Sequence, residues 1–276
     1  MPRADSRNAS RYWLDPRLRG LSLLRADFTT HEFPSHTHDA LLVAVTEEGG
    51  SEIAAAGVPD EVYRTALLVV GPAEPHSSRM SRSTGWRYRS FYLMRSAMDG
   101  VADDLGLARF PELRSGVLRQ PDLVERFLSL HRALEVSADE LLQRELLVAA
   151  FGGLVGDRVT TGRTATLPAS RDATLRRVVH LMRERHAERL TLPAMADAAG
   201  MTQFQLIDLF RAGTGLTPHA HLTQIRLGVA CHHLRRAASI ADAAVAAGFY
   251  DQSALTRHFK RAYGITPLQY LRAVRS

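Results

Sequence analysis

The chain has 276 residues, 45% of them hydrophobic and 23% charged, with a formal net charge of +6 at pH 7. Those proportions describe a soluble globular protein long enough for two domains. No apolar run approaches the ~20 residues needed to cross a bilayer, and the first residues, Met1-Pro2-Arg3-Ala4-Asp5-Ser6-Arg7, lack the apolar stretch of a secretory signal.

Residues 1–18 are Arg-rich and weakly patterned, and read as a flexible tail or an edge strand. Short apolar or alternating runs follow at Leu21–Phe28, Leu41–Thr46, Leu67–Val70 and Tyr88–Leu93. Gly, Pro and Asp punctuation separates them, at Phe33-Pro34, Gly49-Gly50, 57–60, Gly71-Pro72 and 83–85. This spacing predicts a small sandwich or barrel over 19–97. His31, His36, His38 and His76 fall in this segment; His36 and His38 share one face if the stretch is a strand. Glu47 and Glu48 read as part of a turn.

From Met98 the pattern becomes helical. Leu123, Phe127, Leu130 and Leu134 recur at helical spacing, and a second set runs through Leu141, Leu142, Glu145, Leu146 and Ala149. The segment 98–156 is therefore expected as a helical extension able to pair with a second copy, and 157–170 as a linker. Cys231, the only cysteine, excludes an internal disulfide, fits a reducing cytoplasm and is expected as a small buried residue on a helix.

Charge is concentrated in the last third. Residues 171–276 hold 15 Lys+Arg against seven Asp+Glu, a net +8, leaving 20 against 22 elsewhere. Such a segment calls for a polyanionic partner, and its scattering over short helices argues against a membrane surface. The segment also repeats itself. Leu206, Phe210, Gly215, Thr217, Pro218 and Leu222 recur 49 positions later as Leu255, Phe259, Gly264, Thr266, Pro267 and Leu271. Each copy reads as a helix-turn-helix unit. In the first, 192–199 supports, Gly200 stops the helix and Thr202 caps a second helix over 203–212. That leaves Gln203, Phe204, Ile207, Asp208 and Arg211 outward. In the second, 240–247 supports, Gly248 stops and Asp251 caps 252–262, with Gln252, Ser253, Thr256, Arg257, Lys260 and Arg261 outward. Gln, Arg, Ser and Thr are the side chains that pair with base edges in the major groove, and Lys260 and Arg261 are placed for phosphates. Pro218 opens a helix running to about Arg236 that spaces the two units.

The stretch Ile240 to Arg272 resembles the signature of the AraC (arabinose-regulator-type) transcription factors. The resemblance implies a two-unit DNA-binding domain over 171–276, a double-stranded operator, activation or repression of nearby promoters and contact with RNA polymerase. It also implies base contacts at Phe204, Ile207, Asp208, Gln252, Ser253 and Arg257. Asp208 departs from the pattern, because a carboxylate facing DNA is repelled unless it accepts from a cytosine amino group; the second unit is thus expected to read bases and the first to position. The N-terminal pieces 33–39, 71–76 and 85–93 resemble the cupin-like effector-binding domain of such regulators, which implies a small-molecule effector held by His36, His38, His76, Trp86, Tyr88 and Tyr92. A cupin enzyme adds a Glu four residues after the second His, where this chain has Leu42.

The sequence therefore predicts an α+β, two-domain chain, a cupin-like β-barrel with following helices and an all-α tandem helix-turn-helix domain. Its expected role is that of a cytoplasmic, effector-responsive regulator without catalytic residues, cofactor or bound metal, and with a homodimer open to it. The alternatives are a metal-dependent cupin enzyme with a DNA-binding appendage and a sequence-tolerant architectural DNA binder.

Overall fold

The computed structural model describes residues 8–30, 32–55, 58–80, 83–136, 139–158, 169–236 and 238–275. Two compact units account for them. The first is 1–32 with 38–162 and the second is 163–276; the short stretch 33–37 groups with the second, yet its strand pairs within the sheet and is described there.

In the first unit the strands are β1 (Ala9–Leu14), β2 (Leu21–Phe28), β3 (Glu32–His36), β4 (Leu41–Ala55), β5 (Val58–Tyr63), β6 (Leu67–Val70), β7 (His76–Arg79), β8 (Trp86–Leu93) and β9 (Gly116–Leu118). They pair in the order β1-β2-β8-β4-β6-β9, with β5 and β7 also on β4 and β3 on β7. β4 makes this possible by its length. Residues 42–45 pair with β6, 41–49 with β8, 50–55 with β5 and 52–55 with β7. Among the described residues the strands do not close into a ring, so the expected barrel is an open, folded sheet. Glu47 and Glu48 lie in β4 and not in a turn: the ladder to β8 slips between Thr46 and Glu48 as a bulge. Gly49 takes φ +69°, and a Cβ there would collide with the Gly85 carbonyl.

Strand alternation gives β8 two different faces. Phe91 and Leu93 join Leu21, Leu23, Leu41, Val43, Val45, Leu67 and Val69 in a buried core. That core is covered by helices α1 (Arg95–Asp104), α2 (Pro121–Val136) and α3 (Glu140–Arg158). Edge-to-face contacts among Phe91, Phe127 and Phe151, at centroid distances of 5.0–6.2 Å, add to burial worth about 1.5–3 kcal/mol per ring. The stripe expected on α3 is displaced. Leu147, Ala150, Phe151 and Leu154 are buried, whereas Leu141 and Leu142 are exposed. Gln143 sits on the buried side because its amide donates to the Ala133 carbonyl at 3.1 Å, which hid the true stripe.

The second unit holds α4 (Ala169–Glu184), α5 (Leu192–Ala199), α6 (Gln203–Thr214), α7 (Pro218–Arg235), α8 (Ile240–Ala246), α9 (Gln252–Tyr263) and α10 (Pro267–Arg275). α7, 18 residues and about 27 Å long, packs against α4 and α6 and also against α8, α9 and α10. The linker expected at 157–170 falls mostly outside the described residues; α3 reaches Arg158 and α4 begins at Ala169.

Candidate nucleic-acid interface and effector site

Both helix-turn-helix units are fixed by their ends. Thr202 forms a capping box with Gln205: its hydroxyl accepts from the Gln205 amide at 3.2 Å, and the Gln205 side chain accepts from the Thr202 amide at 2.9 Å. Asp251 caps α9 by accepting from the Ala254 amide at 2.6 Å, and Thr217 and Ser239 cap α7 and α8. Gly200, Gly215 and Gly264 end α5, α6 and α9 in the left-handed conformation. Gly248, at φ +81°, turns the chain between α8 and α9, where a Cβ would meet the His186 carbonyl and the Ala187 backbone.

Capping orients the side chains. In α9, Leu255 and Phe259 are fully buried, and Gln252, Ser253, Arg257, Lys260 and Arg261 are exposed, as expected. Thr256 is half-buried, and its hydroxyl donates to the Gln252 carbonyl at 2.8 Å. In α6, Leu206, Leu209 and Phe210 are buried and Gln203, Phe204, Asp208 and Arg211 exposed, with Phe204 at 79%. Ile207 corrects its expected outward placement: it is half-buried and lines a small apolar hollow with Leu190, Leu192 and Met195. Asp208 has a partner that the sequence did not reveal. Arg171, at the start of α4, donates to its carboxylate at 2.9 Å, so the charge presented by α6 is neutralised locally. Other arginines of this unit serve the fold. Arg226 donates to the His186 and Glu188 carbonyls, and Arg235 to the Tyr270 hydroxyl.

On the sheet, β8 turns Trp86, Tyr88, Ser90 and Tyr92 to the face away from the helices. In register beside them stand Phe28, Ala26, Leu24 and Ser22 of β2, and Thr46, Ala44 and Leu42 of β4. Trp86 stacks on Tyr88 at 4.2 Å and donates to the Thr46 hydroxyl at 3.1 Å, with Phe28 against Tyr88. At the other end of that face, Tyr92 meets His38 edge-on at 5.4 Å, and His38 lies 4.9 Å from His76. The six expected effector residues thus form two groups: an aromatic stack at Trp86 and Tyr88, and a polar group of His36, His38, His76 and Tyr92. The three histidines are buried, and their ligating nitrogens all lie within 4.8 Å of one another. Burial lowers the pKa of His76, opposed by its hydrogen bond to the Glu74 carbonyl, and pushes the Tyr92 hydroxyl up to about 12. His31 lies outside the described residues.

The other face of β8 carries a network that sequence reasoning missed. Arg89, almost fully buried, donates to Glu135 at 2.6 Å and to His131 Nδ1 at 3.0 Å, and pairs with Glu47 at 3.0 Å. It ties β8 to β4 and to α2. No local spacing announces it, because the three partners lie 42 to 46 positions from Arg89.

Comparison with known proteins places both units. Residues 19–151 match the model of an AraC-like ligand binding domain, and residues 195–273 match that of a helix-turn-helix domain. Over 87% of each chain the protein is 26% identical to an uncharacterized HTH-type transcriptional regulator, YbfI, of Bacillus subtilis. It is 24% identical to the HTH-type transcriptional activator RhaS of Salmonella schwarzengrund, over 85% of this chain and 86% of that one. Among solved structures, ToxT of Vibrio cholerae shares the fold, with a TM-score of 0.53 at 10% identity over 97% of this chain and 98% of that one. Among the described residues no helix is long and apolar enough to cross a membrane.

Proposed function

The chain belongs to the AraC-type transcription regulators, a ligand-binding domain followed by a DNA-binding helix-turn-helix domain, and on that premise we propose that α9 is its principal base-reading helix and that a small molecule on the inner face of β8 controls it. The observation that carries the first part is the α9 surface: Gln252, Ser253 and Arg257 stand exposed on a capped helix with Lys260 and Arg261 beyond them. Gln and Arg pair bidentately with adenine and guanine, and the two terminal cations suit flanking phosphates. α6 positions more than it reads. Its acidic residue is held by Arg171 and Ile207 is turned half inward, which leaves Gln203, Phe204 and Arg211 for contact.

The effector site has a flat apolar end at Trp86 and Tyr88 and a polar end at His36, His38, His76 and Tyr92. A small molecule with an oxygen-bearing head and an apolar body suits both ends. One ToxT structure of this fold is of an unsaturated fatty acid-bound protein, a ligand with the same two-ended character. The signal would leave through β8, whose opposite face grips α2 by Arg89 and Glu135, and through α3, the last described helix before the second unit. The chain acts in the cytoplasm, as a homodimer through the corner of α2 and α3 where Val136, Leu141 and Leu142 are exposed, and works on RNA polymerase at nearby promoters. We assign it no catalytic role, since the relatives it matches over most of their length are transcription regulators.

The test is binding of the full chain to the DNA flanking its own gene, with reporter transcription from that DNA, across a panel of small carboxylates. Saturable binding that one compound shifts together with transcription supports the reading. Equal affinity for random DNA at physiological salt would make the chain an architectural binder.

A further inference from the structure

We propose that His36, His38 and His76 hold a divalent first-row transition ion, zinc or a near equivalent, and present an open coordination position to the effector. This deepens the effector-site reading and rests on it for the role of the ion, though not for its binding.

Three features carry the proposal. The first is convergence: the three ligating nitrogens lie within 4.8 Å of one another, and all three side chains are buried. A tetrahedral zinc with bonds of ~2.0–2.1 Å needs nitrogens about 3.3 Å apart, a separation inside that limit.

The second is tautomer control. His36 Nδ1 stands 2.8 Å from the Pro34 carbonyl, and His76 Nδ1 stands 3.0 Å from the Glu74 carbonyl. A carbonyl only accepts, so both Nδ1 atoms carry the hydrogen and Nε2 carries the lone pair of the neutral ring. Metal-ligating histidines are oriented in this way, by a backbone acceptor on the other nitrogen.

The third is the donor set. Among the described residues no carboxylate joins the cluster. Leu42 stands opposite Tyr92 in the β4–β8 ladder, on the face that meets His38. A three-nitrogen site beside an apolar residue leaves one position for an outside donor, the pattern of open zinc sites. Imidazole-only ligation suits zinc, copper, nickel or iron over magnesium or calcium. An oxygen-headed effector completes the sphere.

Untagged, chelator-treated full chain is titrated with cobalt(II) and with zinc(II), following the visible absorption of the cobalt complex and the thermal midpoint. One equivalent per chain is expected, with the intense bands of a four- or five-coordinate site that zinc abolishes and a midpoint raised by either ion. His38→Ala and His76→Asn each weaken binding by more than about 100-fold and lose the metal-dependent rise in midpoint. Their metal-free midpoints and circular dichroism establish that they fold. The double variant of His232 and His233, neighbouring rings on α7, keeps full binding and controls for surface sites. No stoichiometric complex in the wild type, or an unchanged cobalt spectrum in folded His38→Ala or His76→Asn, overturns the proposal. An ion that binds at these residues without changing affinity for DNA leaves the site standing and counts against the effector reading.

Discussion

Arg257 and Asp208 occupy comparable outward turns of α9 and α6, yet their surroundings differ. Arg257 is exposed on a helix whose remaining outward residues are polar or basic, so Arg257→Ala should cost about 1–3 kcal/mol of specific binding, read by titrating operator and random DNA. Asp208 is already paired with Arg171. Asp208→Ala removes a carboxylate from the DNA side and releases that guanidinium, so binding in the same titration should stay equal or tighten. Only half of this was legible in the sequence. Helical spacing shows that both residues face outward; a partner 37 positions away, on another helix, leaves no periodic trace. His131 gives a second prediction at this scale. Burial and then the Arg89 charge push its pKa down to about 3 from 6.5. The unfolded chain takes up this proton near 6.5 and the folded chain resists until about 3, so stability is complete above 6.5 and is lost as pH falls through that window. Burial raises the pKa values of Glu47 and Glu135, but the hydrogen bonds and charge of Arg89 outweigh it and hold both below 4.5. They add acid sensitivity below that value, in the same direction. The melting temperature should fall between about pH 7 and pH 5, and His131→Gln should flatten that part of the profile.

At the scale of the element, the helix ends carry the argument. Thr202→Ala and Asp251→Ala each remove a cap and should cost about 1 kcal/mol, checked by denaturant unfolding. Gly248→Ala should cost more, since it meets both a left-handed φ and a backbone carbonyl in the way. Both helix-turn-helix units were readable because capping residues, αL glycines and apolar spacing agree within each helix. The sheet was less so. β2 and β6 are apolar runs and their bounds were evident, but β3, β5 and β7 (Glu-Phe-Pro-Ser-His, Val-Pro-Asp-Glu-Val-Tyr and His-Ser-Ser-Arg) are short and polar. Their strand character comes from pairing with β4 and with each other, a long-range property. Glu-Glu-Gly-Gly at 47–50 has the composition of a turn and is a bulge within β4, because β8 supplies partners on both sides of it. On α3, the buried Gln143 concealed which face is inward.

For the whole molecule, the division into a neutral sensing part and a basic reading part was visible in the charge distribution and the internal repeat. Spacing along the chain offers only His36 and His38 as a pair, and the cupin-like resemblance added His76; the structure brings the three together through the pairing of β3 with β7. The coupling proposed here runs from the inner face of β8 to α2 through Arg89. Arg89→Met should leave effector binding measurable and uncouple it from transcription, while lowering stability, because Glu47 and Glu135 lose a shared buried partner. The central claim is that the second unit reads sequence through α9. Its most direct test is titration of the full chain, wild type and Arg257→Ala, with DNA flanking its gene and with random DNA at ~0.15 M salt. The account predicts a wild-type preference of at least about a thousand-fold, most of it lost in the variant with random-DNA affinity little changed. Equal wild-type affinity for both DNAs, or a variant that weakens both to the same extent, would contradict it.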